Sequence, residues 1–369
     1  MVRQKRLSYI NFLQMMGVLL VIIGHSLEPY VYKGYLGGSF IINEKCKELY
    51  KFIYSFHMSL FFFIYGYLFA YKEHNRINLV EYTKKRFKRL IVPFYLFALL
   101  VWIPFLYFLG ETNAAENFLS FKNCHHLWFL PTLFITGLVY SIILKTPLKK
   151  HTVILLIFLI LWQCSYYDGG IVEILCRRPM NNIVYTHIGF MVAIYIASAK
   201  EHSVSETEVL KRMCFLLGIL YIAIFFVNDF QLKLKLRLDL YTFIDNWKLQ
   251  VFLPVTKLEV IFKIILLFTA TKILLIYWPH VIDNRMTQII SENMLTIYLF
   301  HQGFNWMFYK ILQNTVKNAS FWSLAGIEIL VLLSSLAVAE TINMLVRAMT
   351  LEIKTKKHSN LSVCSKDNL

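Results

Sequence analysis

Long, unbroken apolar runs recur from one end of this chain to the other, and they constrain its fold more than any other feature. A helix needs about 20 apolar residues to cross a hydrocarbon core roughly 30 Å thick, and runs of that kind are frequent here. In the chain of 369 residues, 57% are hydrophobic and only 16% are charged, which is too apolar for a soluble domain. Because the runs are continuous and do not alternate, helices are favoured over a closed barrel. We predict an all-α, polytopic membrane protein.

Ten spans can be drawn from these runs, and an even count places both termini on the same side of the membrane. The predicted spans are roughly 10–27, 52–71, 91–109, 127–144, 152–167, 183–199, 214–229, 256–277, 292–312 and 322–346. The first run is not followed by a small-residue cleavage site, so we expect it to be a retained helix. The sequence predicts one transmembrane domain over residues 1–350 and a short polar tail over 351–369.

Positive charge indicates which side is cytoplasmic. The chain has 38 Lys and Arg and a net charge of +16, and most of the basic residues lie in loops on one side, above all in residues 72–90. Such loops remain in the cytoplasm, so we expect cytoplasmic termini in a multi-pass inner or plasma membrane protein. Nucleic acid is not an expected partner, because the aromatic residues lie inside the spans.

Some features do not follow from this scheme. Lys257 and Lys263 fall inside the eighth span, and the segment 230–251, expected outside, alternates Leu with charge. Alternation favours a strand or an interfacial segment, interpreted as a membrane-hugging loop or as a lid over an anionic substrate.

The cysteines show no zinc-ligand spacing, so no metal is expected, and a disulfide between Cys124 and Cys176 is an open alternative.

Histidines within the apolar runs are candidates for chemistry, because ionisable groups are costly in a bilayer and are usually functional. His25, His57 and His126 are predicted near the outer face, and His301 nearer the middle of its span. A histidine can accept a hydroxyl proton and return it, as a general base does, although a single histidine is more often a packing residue. Gln14, at about 100° per residue, projects within about 20° of His25 on the same helix.

Basic residues before the third span are candidates for binding phosphate. Arg86 and Arg89 share a helix face at i and i+3 and can bind phosphate oxygens bidentately, with added positive charge from Lys85 and Lys88. The alternative interpretation is ordinary anchoring at the cytoplasmic surface or binding of anionic lipid.

Five segments, in order along the chain, resemble the integral-membrane acyltransferase type 3 family. They are VIIGHS (21–26), FHMSLFFFIYGYLF (56–69), the Arg86-x-x-Arg89 pair with Pro93, HLWFL (126–130) and NMLTIYLFH (293–301). The family usually has an arginine where this chain has Gln14, and a proline where it has Ser59. A glutamine can still hydrogen-bond a thioester carbonyl or a sugar hydroxyl.

The resemblance implies a ten-helix protein that transfers an acyl group, commonly acetyl, from cytoplasmic acyl-CoA. It implies as acceptor a surface polysaccharide, lipopolysaccharide, peptidoglycan or a lipid-linked precursor. It also implies that His25 is central to catalysis and that Arg86 and Arg89 bind the phosphates of the donor. Membrane lipids and a glycan or lipid-linked sugar are therefore the expected partners, and the oligomeric state stays open.

The mechanism that we expect is direct transfer. His25 removes a proton from the acceptor hydroxyl, which attacks the thioester, while Glu28 either orients His25 or is a solvated end charge. The candidates for stabilising the oxyanion are His57, His126 and Gln14. A covalent intermediate on Ser26 is a less favoured route. The competing classes of protein are a transporter or flippase of the same glycans and a membrane sensor or scaffold.

Overall fold

The computed structural model describes residues 8–73, 78–122, 124–145, 170–238, 253–318 and 320–364, and within these ranges it contains helices and no strands. The predicted all-α polytopic fold is confirmed. The long helices are α1 Ser8–Leu27, α2 Glu44–Glu73, α3 Leu79–Phe108, α4 His125–Ile143, α5 Gly170–Glu201, α6 Glu206–Leu238, α7 Leu253–Tyr277, α8 Met294–Leu312 and α9 Phe321–Cys364. Short helices lie between them at Ala114–Leu119, Pro279–Ile282 and Arg285–Glu292.

Within the described ranges, eight helices are long and apolar enough to cross a membrane, namely α1 to α7 and α9. They coincide with eight of the ten predicted spans. The predicted ninth span, 292–312, is helix α8, which is not among the eight because its apolar residues are interrupted by polar ones. The predicted fifth span, 152–167, lies outside the described residues. The count of ten and the cytoplasmic termini therefore stay predictions.

The charged segment for which a strand or an interfacial segment was predicted is helical in its first part, so a strand is excluded there. Helix α6 continues to Leu238, so residues 230–238 are helical, and residues 239–251 lie outside the description. Extending an existing helix adds a hydrogen bond per residue, which outweighs a short alternating pattern. The predicted tail is likewise helical as far as Cys364, the end of α9.

Prolines inside the spans coincide with a local change of helix type. Three five-residue π-turns interrupt α3 and α5, at Phe87–Ile91, Ala98–Trp102 and Glu173–Arg177. Each ends two residues before a proline, and these prolines are Pro93, Pro104 and Pro179. A proline lacks the N–H for the regular helical bond, and its ring clashes with the carbonyl four residues earlier. The wider i to i+5 turn moves that carbonyl aside, so the span continues.

The chain divides into two compact units. The first unit contains Met1–Val21 and Lys51–Gln288, and the second contains Ile22–Tyr50 and Ile289–Leu369. The boundaries between them fall within α1, α2 and the short helix Arg285–Glu292, each of which contributes residues to both units.

In the first unit, α2 and α5 approach each other until their backbones touch. A Cβ added to Gly66 would meet the backbone carbonyl of Thr186, and one added to Gly189 would meet the carbonyl of Phe63. Small residues at reciprocal positions are typical of tight helix pairs in membranes, where van der Waals packing drives association.

The two lysines that the charge pattern did not place contact other helices of the first unit. The ammonium group of Lys257 donates a hydrogen bond to Asn181 on α5, and that of Lys263 donates to the Ser55 hydroxyl on α2 at 2.8 Å. These bonds satisfy charged groups that α7 carries within its span.

The second unit is joined by hydrogen bonds from tyrosine hydroxyls to distant backbone. Tyr309 on α8 donates to the carbonyl of Ser26 at 2.6 Å, and Tyr30 donates to the carbonyl of Val316 at 2.6 Å. Both tyrosines are fully buried. The end of α1 is thereby fixed against α8 and the turn that follows α8.

We predict that Gly66→Ala destabilises the protein. The added methyl group meets backbone, which cannot move as a flexible side chain can, so the helices must separate at a cost of about 1–3 kcal/mol. The melting temperature in detergent should fall. Gly218→Ala is the matched control, because nothing lies within 4 Å of its new Cβ, and it should leave the melting temperature unchanged or raise it. An unchanged melting temperature for Gly66→Ala contradicts the contact.

Candidate active site

His25 lies at the end of α1, where the sequence changes the helix type. Pro29 cannot donate the regular helical bond to the carbonyl of His25, so α1 ends at Leu27 and the tighter turn Glu28–Tyr30 follows. This turn brings the Glu28 carboxylate to the His25 ring. Nδ1 of His25 lies 2.8 Å from Oε1 of Glu28, and both side chains are largely buried, at 15% and 14% exposed.

The Glu28 carboxylate is fixed by two further donors. Its Oε2 accepts hydrogen bonds from the Tyr35 hydroxyl at 2.9 Å and from the Gln302 side-chain amide at 3.3 Å. Burial, and then the negative charge of Glu28, raise the pKa of Tyr35 well above its usual value, so the phenol stays a neutral donor. The carboxylate therefore has three defined partners.

This arrangement decides which nitrogen of His25 bears the proton. An ionised carboxylate can only accept hydrogen bonds, so Nδ1 of His25 must be the donor. The lone pair is then on Nε2, the atom through which a neutral imidazole can act as a base. Of the two alternatives that the sequence left for Glu28, the orienting one agrees with the geometry.

A second histidine adjoins the pair. The rings of His25 and His301 have centroids 5.0 Å apart, and His301 is fully buried on α8, where its Nδ1 donates to the carbonyl of Tyr298 at 2.6 Å. The sequence singled out His301 as intramembrane but did not bring it to His25. The sequence signal that could have pointed to His301 is the NMLTIYLFH segment, which ends at this residue and is one of the five that carry the family resemblance.

Several buried polar atoms of the same unit have no hydrogen-bond partner among the described residues. Both atoms of the Asn305 amide are in this group, and so are the carbonyl oxygen of the Gln302 side chain and the Ser26 hydroxyl. Asn305 is 1% exposed and Gln302 is 3% exposed. Each unsatisfied buried group costs about 1–3 kcal/mol, so a polar ligand or water that bonds to them is strongly favoured.

Gln14, His57 and His126 belong to the first unit. Gln14 is half-buried on α1. His57 is buried on α2, where its Nδ1 donates to the carbonyl of Ile53 at 2.9 Å. His126 is buried at the start of α4, with its ring centroid 4.6 Å from that of Trp102. These contacts fix the two histidines locally, and their assignment to the oxyanion stays a prediction.

Arg86 and Arg89 also lie in the first unit, at the start of α3. The Arg86 guanidinium lies over the rings of Tyr65 and Tyr82, at 4.7 and 5.3 Å from their centroids, and the two tyrosine hydroxyls hydrogen-bond to each other. Stacking of this kind orients the guanidinium plane. Arg89 lies inside the first π-turn, so its angle to Arg86 differs from that in a regular α-helix, although the two charges still interact.

The flanking lysines differ from each other. Lys85 forms an ion pair with Glu81 at 2.7 Å, whereas Lys88 is exposed within the π-turn. The pair between Lys85 and Glu81 is itself exposed and can exchange for another anion at little cost.

The cysteines considered in the sequence analysis and two tryptophans belong to the first unit, outside the group around His25. Cys124 and Cys176 are free thiols, and burial raises the pKa of Cys124 to about 12, so it stays protonated. Trp102 is 1% exposed, and the Arg178 guanidinium lies 4.0 Å from the ring centroid of Trp128. The described part of the chain contains no group of three His, Cys, Asp or Glu side chains that could hold a metal ion.

Comparison with known families gives a match over nearly the whole chain. The model of the family described as "Acyltransferase domain" matches residues 7–343. No curated protein and no solved structure matches the chain.

Proposed function

Since the chain belongs to this acyltransferase family and is a multi-pass membrane protein, we propose that it is an O-acyltransferase of the cell membrane. It moves an acyl group, most readily acetyl, from cytoplasmic acyl-CoA to a hydroxyl of a cell-envelope glycan or its lipid-linked precursor. The observation that carries the proposal is the hydrogen bond of 2.8 Å between Nδ1 of His25 and Glu28.

His25 acts as the general base in this proposal. Its Nε2 accepts the proton of the acceptor hydroxyl as the oxygen attacks the thioester carbonyl, and Glu28 stabilises the imidazolium that forms. When the tetrahedral intermediate collapses, the carbon–sulfur bond breaks and the thiolate takes the proton from Nε2. The products are the ester and free CoA.

Asn305 and Gln302 bind the substrate in this proposal. The Asn305 amide can donate to the oxyanion of the tetrahedral intermediate, and a fixed, desolvated donor is the most effective kind. Its location on α8, one turn beyond His301, and its unpartnered atoms support this assignment. The unpartnered oxygen of Gln302 can accept a hydrogen bond from a sugar hydroxyl.

Arg86 and Arg89, with Lys85 and Lys88, bind the phosphates of the donor. The stacked Arg86 offers a fixed planar donor and Arg89 a second one, which suits the pyrophosphate and ribose phosphate of CoA. The positive charge of this helix end on the cytoplasmic side attracts the anionic donor from that compartment.

We predict that His25→Ala lowers kcat roughly 10²- to 10⁴-fold, the usual range for a general base. Glu28→Gln should lower kcat by about tenfold or more without a comparable change in KM, because the imidazole loses its orienting carboxylate. The assay is release of CoA by the purified protein with a glycan acceptor.

The matched control is Glu44→Gln, an exposed carboxylate of the same unit that pairs only weakly with Lys47, and it should retain full activity. Full activity of Glu28→Gln contradicts the assigned role. Glycan transport without any acyl transfer contradicts the enzyme itself.

We predict opposite effects of Asn305→Leu on activity and on stability. Leucine has nearly the same shape but no polar atoms, so it removes a buried, unsatisfied amide and should raise the melting temperature. Loss of an oxyanion donor should lower kcat by roughly 10²- to 10³-fold. A variant that loses activity together with stability points to a structural role and contradicts the assignment.

We predict that Arg89→Gln and Arg86→Gln raise KM for acetyl-CoA but not for acetyl-pantetheine, which lacks the nucleotide phosphates. Each lost charge-assisted bond is worth about 1.5–3 kcal/mol, or at least tenfold in KM. Lys84 is exposed on the same helix, so Lys84→Gln is the control and should leave KM for both donors unchanged. Equal increases for both donors contradict phosphate binding.

A further inference from the structure

A cavity of about 170 Å³ lies in the first unit, away from the residues discussed so far. Its walls come from the last turns of α5, the first turns of α6 and the last turns of α7. A water needs roughly 10–15 Å³ of such space, so the cavity is large enough for a group of several heavy atoms. The charge pattern places these helix ends on the cytoplasmic side.

The lining combines three charges with apolar walls. The charged side chains are Lys200 on α5, Glu206 on α6 and Lys272 on α7, and the walls include Ile196, Leu210 and Met213. Two ammonium groups and one carboxylate facing the same small space can bind a ligand that itself carries a negative and a positive group. The apolar walls require that the ligand is also partly hydrocarbon.

The rim of the cavity is built by the connection from α5 to α6. Ser203 has a left-handed backbone, with φ of 55°, and the N–H of Val204 donates to the carbonyl of Ala199 at 2.8 Å. This is a helix C-terminal motif that normally uses glycine. The Ser205 hydroxyl then accepts a bond from the N–H of Glu208 at 3.2 Å and caps α6. Both hydrogen bonds fix the positions of Lys200 and Glu206 before any ligand binds.

Lys272 is the deepest charge of the cavity. It lies five residues before the end of α7, about 7.5 Å along the helix axis. Its ammonium is 3.9 Å from the ring centroid of Tyr9, and the Glu206 carboxylate attracts it. A lysine at this depth is costly, and such residues usually serve a ligand.

Helix α6, which forms one wall of the cavity, exposes most of its surface. Only 11% of the membrane-spanning part of this helix, Glu206–Phe226, is buried, which is the lowest share among the spans of the described residues. Met213 faces inward and is buried, while its neighbours Phe215 and Leu216 are exposed. A lipid acyl chain can therefore reach the apolar walls from the bilayer.

We propose that this cavity binds one phospholipid with an amine-bearing head group, such as phosphatidylethanolamine, from the cytoplasmic leaflet. The lipid phosphate lies between Lys200 and Lys272, the head-group ammonium pairs with Glu206, and the acyl chain contacts Leu210 and Met213. Neither the acyl donor nor the acceptor is involved, so the site is independent of the proposed transfer reaction.

The test measures the melting temperature of the full-length protein in detergent with short-chain lipids. Dioctanoyl-phosphatidylethanolamine should raise it by about 3 °C or more at saturation, dioctanoyl-phosphatidylglycerol should raise it less, and dioctanoylglycerol and inorganic phosphate should leave it unchanged. Lys272→Met, Lys200→Met and the cavity-filling Leu210→Trp should each abolish the increase. Glu206→Gln should remove the preference for the amine-bearing lipid.

Lys211→Met is the matched control, because this lysine is exposed on α6 and does not line the cavity. It should keep the full increase. The proposal is overturned if the lipid stabilises Lys200→Met and Leu210→Trp as much as the parent protein, or if dioctanoylglycerol or phosphate has the same effect. An equal effect of phosphatidylglycerol and phosphatidylethanolamine overturns the pairing with Glu206.

Discussion

The hydrocarbon core offers no hydrogen bonds, and this constraint governs the rest of the structure. A polar group that enters this core must form its hydrogen bonds within the protein. If it does not, it raises the free energy of the folded protein. The backbone meets this requirement by forming helices, with a wider turn before Pro93, Pro104 and Pro179. The intramembrane lysines meet it by reaching neighbouring helices, as Lys263 does with the hydroxyl of Ser55.

At the candidate active site this requirement is met only in part. Tyr35 and Gln302 hold the Glu28 carboxylate, and its contact with Nδ1 sets the tautomer and direction of the His25 ring. The Asn305 amide lies on the same helix, α8, as Tyr309 and Gln302. It has no hydrogen-bond partner among the described residues. In the proposed reaction, the cost of ordering these groups is met during folding and not during transfer.

Much of the fold followed from the sequence, because the length and apolar character of a span are local properties. Eight predicted spans correspond to helices, and the resemblance singled out His25, whose Nδ1 contacts Glu28, while its catalytic role stays a prediction. The neighbours of His25 and Glu28 were harder to predict, because His301 beside His25 and Gln302 on Glu28 lie far along the chain and only tertiary packing brings them together. The strand alternative for residues 230–238 was wrong, because a short period of two competes poorly with continuing an established helix.

The π-turns also have a consequence for how this sequence can vary in length. A π-turn contains one residue more than the α-helical turn that it replaces, so each is equivalent to a single-residue insertion absorbed within a span. Removing one residue between Arg89 and Pro93 would restore a regular turn and leave the faces of α3 beyond it in place, whereas removing one from a regular turn would rotate everything beyond it by about 100°. The π-turns are therefore the points at which these spans can differ by one residue in length while the faces beyond them keep their directions.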